Sequence, residues 1–154
     1  VQQFAGIREP LIQTLARRYP GRLPYVRVSQ VLAGVAEHLG FKSRVISALG
    51  ANALAALADR KDVPRTQALL GVYDFGGDTA RYAALMDGWL ANAPTGGLLM
   101  CHPAAASPPD DAIGAARGRE YSYLGGADFA AALARAQVMP ARGQPRDSHY
   151  TPCV

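Results

Sequence analysis

Cysteine is scarce. The 154-residue chain holds 2, Cys101 and Cys153, too few for a disulfide framework and wrongly spaced for a zinc ribbon. A reducing, cytoplasmic setting is therefore expected. Long apolar runs are missing too: none approaches the roughly 20 residues of a membrane span. The first residues are neither basic nor followed by an apolar segment, so no signal peptide is expected. Val1 stands where an initiator methionine would, and residues upstream of it are expected. Neither a Gly-x-Gly-x-x-Gly fingerprint nor a P-loop is present, which counts against a nucleotide. The net charge is +4, yet the basic groups are scattered and form no stripe with interleaved aromatics. That counts against nucleic acid as a partner. No internal repeat is evident.

What remains is a chain that is 49% apolar and 18% charged, long enough for one domain with a real core. Its most informative stretch is Gly96-Gly97-Leu98-Leu99-Met100-Cys101-His102-Pro103. Four apolar or small side chains, bounded by glycines and a proline, read as a strand covered on both faces. Alternation puts Leu98, Met100 and His102 on one face and Leu99 and Cys101 on the other, with Cys101 facing the core. A histidine at the C-terminal end of such a strand sits where α/β folds place ligand and catalytic groups. It could equally cap a carbonyl.

The remaining elements alternate around this strand. Apolar spacing predicts a helix over Ile7 to Arg18, with Pro10 tolerated in its first turn. Leu23 to Val28 reads as a strand with Arg27 at its end, facing opposite to Val26 and Val28. Arg27 could hold an anionic or carbonyl group, or reach solvent at the sheet rim. A helical stretch from Val31 to Leu39 carries His38, read as surface or half-buried. A long helix is expected from Lys42 to Ala58 with Gly50 inside it. Leu69 to Tyr73 is a second strand, followed by a Gly-rich loop in which Asp78 is placed to cap a helix. That helix has the cleanest stripe: Tyr82, Leu85, Met86, Trp89 and Leu90. After His102 a long loop is expected from Pro103 to Gly118, with Asp110 and Asp111 facing water or capping the next helix. A last helix over Ala127 to Ala136, with Phe129, Leu133 and Ala136 inward, precedes a short strand at Val138-Met139. The pattern is α/β, with βα units and about four parallel strands.

These residues resemble a known family. The Gly96 to Pro103 stretch, preceded by Gly71-Val72-Tyr73 and the Tyr82 to Leu90 helix, looks like the C-terminal half of the YdjC-like (ChbG/HpnK) carbohydrate deacetylases. Arg119-Glu120 followed by Leu124, and the opening Val1 to Ile7 with Leu23 to Val28, are similar in order and spacing. The resemblance implies the C-terminal half of a distorted (β/α) barrel over residues 1–140, with a disordered tail over 141–154. It implies metal-dependent hydrolysis of the N-acetyl group of an amino sugar, such as a chitooligosaccharide or a glycosylated hopanoid. His102 matches a general acid, and Arg27 and Tyr73 match substrate-binding positions. A divalent metal (Mg or Zn) is implied for the complete protein. Its Asp-Asp motif and paired histidines have no counterpart here, so the ligands are expected upstream. The acetylated amino sugar is the expected partner, and homo-oligomerisation is left open. The alternative is an inactive, truncated barrel half acting as an interaction module, with a small-molecule binding domain also in view.

Overall fold

A computed structural model describes residues 2–30 and 50–141. The chain divides into two compact units. The first comprises the described residues of Val1–Leu69, Pro94–Leu98 and Pro140–Val154. The second comprises Leu70–Ala93 and Leu99–Met139. The helical stretch around His38, the start of the helix expected from Lys42, and the tail with His149 and Cys153 lie outside the described residues.

In the first unit, helix α1 spans Ala5–Arg18. It begins two residues before its apolar spacing suggested, which puts Pro10 in the second turn and removes one intrahelical hydrogen bond. Ile12 is buried, Leu11 and Leu15 pack partly against the core, and Ile7 stays exposed. Helix α2 spans Asn52–Arg60 and buries Leu54, Ala55, Leu57 and Ala58. Gly50 has φ +98°, outside the right-handed helical region, and a side chain there would strike the Gln3 carbonyl. After α2, Arg65 reaches back to the Asp59 carboxylate with two bonds of 2.8 and 3.0 Å.

The expected first strand is an extended segment with a single parallel bridge, Val26 to Arg65. Its alternation is as anticipated: Val26 and Val28 are buried and Arg27 is exposed. The Val26 N–H donates to the Pro64 carbonyl and the Thr66 N–H donates to the Val26 carbonyl. The next backbone rung comes only at Leu69 N–H to Gln30 carbonyl. Between them the buried Thr66 hydroxyl accepts from the Val28 N–H at 2.9 Å and donates to the Val28 carbonyl at 3.2 Å. One side chain thus satisfies both main-chain groups of a residue that the ladder skips.

Strands β1 (Leu69–Leu70) and β2 (Leu98–Leu99) pair in a two-stranded sheet. The Leu98 N–H donates to the Ala68 carbonyl and the Met100 N–H to the Leu70 carbonyl, the advancing register of a parallel pair. The second unit adds helices α3 (Thr79–Ala91), α4 (Gly114–Leu124) and α5 (Ala127–Ala136), which pack on one another. Asp78 caps α3 as expected, accepting the Arg81 N–H at 2.9 Å. Tyr82, Met86, Trp89 and Leu90 are buried. Around them Tyr73, Tyr82, Trp89 and Tyr123 form a run of tilted and edge-on ring contacts 5.4–6.1 Å between centroids.

The described residues form the expected α/β arrangement, helix-rich and with one small two-stranded parallel sheet among them. Two expectations are corrected. Helix α4 starts at Gly114, inside the expected loop, because Asp111 organises its first turn. Val138-Met139 is not a strand; the Val138 N–H instead closes the end of α5 on the Leu133 carbonyl. No described helix is long and apolar enough to cross a membrane.

Candidate active site

The site is built where β2 runs out. Only β1 pairs with β2 among the described residues, so Leu98 to Met100 are half-buried rather than covered on both faces, and Cys101 is exposed rather than core-facing. Beyond β1 the chain passes close to β2 at Gly71. This residue has φ +83°, and a side chain there would overlap the Met100 main chain.

His102 is tied to α4 through its own backbone. Glu120, completely buried on α4, accepts the His102 N–H with Oε2. One turn earlier, Arg117 Nη1 donates to the His102 carbonyl at 3.2 Å. Arg117 is in turn held by Asp111, whose Oδ2 accepts from its Nε at 2.8 Å. The other Asp111 oxygen accepts the Ile113 N–H at 3.0 Å, and the two bonds, the Ile113 one foremost, hold this carboxyl below its usual range. Asp111 therefore steadies the turn leading into α4, while Asp110 is exposed.

The second oxygen of Glu120 accepts the Tyr73 hydroxyl at 2.6 Å. Burial first, and the Glu120 carboxylate second, push the Tyr73 phenol well above its usual value. Tyr73 is buried and its hydroxyl is engaged internally. Although Cys101 is exposed as a residue, desolvation first and the Glu120 carboxyl group second push its thiol upward. The His102 ring meets Phe75 edge-on at 5.3 Å and 81°, and its Nδ1 is buried with no hydrogen-bond partner among the described residues. Arg119 Nη2 donates to the Phe75 carbonyl at 2.9 Å.

The structure thus brings two of the anticipated residues together, Tyr73 and His102, through a third that sequence reasoning passed over. Arg27 belongs to the other unit; its side chain is exposed and its carbonyl accepts from the Gln2 side chain. Glu120 had one visible signal, its place in the Arg119-Glu120 pair within a family-like segment. Among the described residues no group of three His, Cys, Asp or Glu side chains converges as a metal centre would require, so these residues do not fit the implied ion.

Sheet, helices and clasp together define a helix-rich α/β protein with a strand-end histidine anchored on a buried carboxylate. A family described as YdjC-like protein matches residues 1–135, and the chain belongs to the YdjC-like family. That family is related to the carbohydrate deacetylases, which are hydrolases. No curated protein and no solved structure matches the chain.

Proposed function

We propose that the protein is a carbohydrate deacetylase that hydrolyses the N-acetyl group of an amino sugar, with His102 as the proton donor to the departing amine. The observation that carries this reading is the contrast between the two halves of His102. Its main chain is fixed at both ends, by Glu120 and Arg117, while Nδ1 of its ring is left without a partner. A buried polar atom left unbonded costs about 1–3 kcal/mol, so a fold that retains one invites a functional explanation. Amide hydrolysis needs a proton for a poor leaving group, and an imidazole titrates in the range that can deliver it. Tyr73 serves this arrangement through its hydrogen bond to Glu120.

The test is acetate release from an N-acetylated chitooligosaccharide by the natural full-length protein and by His102→Ala, with divalent cation supplied. Loss of a general acid lowers turnover by about 100-fold or more. Divalent affinity measured by calorimetry stays unchanged, since the role is proton transfer and not ligation. Near-normal turnover in the variant removes His102 from the mechanism. A lost metal affinity makes it a ligand instead. No turnover in the unmodified protein leaves the interaction-module reading.

A further inference from the structure

Phe75 has φ +64°, in the left-handed region that bulky side chains rarely occupy. Glycine would sit there without strain, and the chain has glycine at the next two positions, Gly76 and Gly77, yet not at this one. The conformation is held from several sides. Asp74 Oδ1 accepts from the Gly76 N–H at 3.1 Å and from Arg81 Nη1 at 2.7 Å. Asp74 Oδ2 accepts from Arg81 Nη2 at 3.1 Å, and Arg81 Nη1 also donates to the Gly76 carbonyl at 2.7 Å. The Phe75 carbonyl is taken by Arg119. Two arginines from two helices therefore pin a five-residue turn around one strained residue. The ring so presented is half-buried and meets the His102 imidazole edge-on. Strain maintained by surrounding bonds is characteristic of sites where a side chain must be delivered to a fixed place.

We propose that Phe75 is a positioning residue for His102: the pinned turn at 74–78 stands its ring against the imidazole and fixes the ring orientation from which the proton is delivered. The inference rests on the proton-donor reading. His102 is then located twice, its main chain by α4 and its ring by Phe75. An edge-on aromatic contact restricts rotation about the imidazole's own side-chain bonds, which the main-chain clasp leaves free. Removing the aromatic edge leaves the histidine in place and loosens its aim.

The experiment compares Phe75→Leu and Phe75→Tyr in the natural full-length protein. The readouts are kcat and KM for deacetylation, the melting temperature, and the imidazole resonances of His102, assigned by their loss in His102→Ala. Leucine keeps most of the bulk and loses the aromatic edge; tyrosine keeps both. In Phe75→Leu, kcat falls on the order of 10- to 100-fold with KM within about twofold, the signature of lost alignment and not of lost binding. The His102 resonances shift or broaden in Phe75→Leu and not in Phe75→Tyr, which restores most of kcat. Equal losses in the two variants, or unmoved resonances in Phe75→Leu, overturn the proposal. If His102→Ala keeps full turnover, the proton-donor reading fails by itself. The resonances then still decide whether Phe75 sets the ring.

Discussion

Glu120 and His102 stand 18 residues apart in sequence, and the carboxylate of the first holds the main-chain N–H of the second. The other Glu120 oxygen holds the Tyr73 hydroxyl, 47 residues away. A fully buried carboxyl group is therefore satisfied by two donors from two different segments.

Replacing Glu120 by alanine strands both donors. At about 1–3 kcal/mol for each orphaned group, the expected loss is roughly 2–6 kcal/mol in denaturant unfolding. Glu120→Gln is far milder, about 1 kcal/mol, because the amide oxygen can accept from His102 while the amide nitrogen donates to a Tyr73 hydroxyl turned to accept. Equal losses in the two variants would show that an amide cannot stand in for the carboxyl group at this position, overturning the hydrogen-bond account.

Thr66 predicts a sharp split between two conservative changes. Thr66→Val keeps the shape and removes the hydroxyl that serves both main-chain groups of Val28, which is itself fully buried. Roughly 1–3 kcal/mol should be lost. Thr66→Ser keeps the hydroxyl and should stay within about 1 kcal/mol of the original protein. Chemical denaturation of the two variants checks this.

Alkaline pH should destabilise the fold through its buried phenols. Tyr73, Tyr82 and Tyr123 are all pushed upward by burial, and Glu120 adds to the effect at Tyr73 and Tyr82. Their folded values lie above the unfolded one near about 10, so above that pH the unfolded chain binds fewer protons than the folded chain. This contribution is fully present below about pH 10 and is lost as pH rises toward the folded values. An ultraviolet titration of tyrosinate, followed alongside unfolding, checks this. The three buried phenols should ionise only as the chain unfolds.

Gly71→Ala should be among the most damaging single changes. A positive φ penalises any Cβ by about 1–2 kcal/mol, and overlap with the Met100 main chain adds about 1–3 kcal/mol, together roughly 2–5 kcal/mol. Gly88→Ala is the control: it lies on exposed α3 surface with open space around it, and should be neutral or slightly stabilising.

Much of the second unit could be read from pattern. The Tyr82 to Leu90 stripe, the Asp78 cap and the bounds of α5 follow from local rules that act within a turn or two of helix. Glu120 could not be read in the same way, because a glutamate on a short helix ordinarily faces water. Its burial depends on donors 18 and 47 residues distant. Cys101 was misplaced for a related reason. A short apolar run states that a strand can be buried, but not whether a second layer covers its far face. The Thr66 insertion escaped notice because a hydroxyl standing in for a backbone rung leaves no periodicity behind.

The clasp on His102 also gives that residue a clock. Its amide hydrogen is held by the Glu120 side chain on α4, so exchange with solvent must wait until Glu120 lets go. The histidine's amide thus reports the opening of a helix that begins 12 residues further along the chain, and any agent that loosens α4 will be registered first at the end of β2.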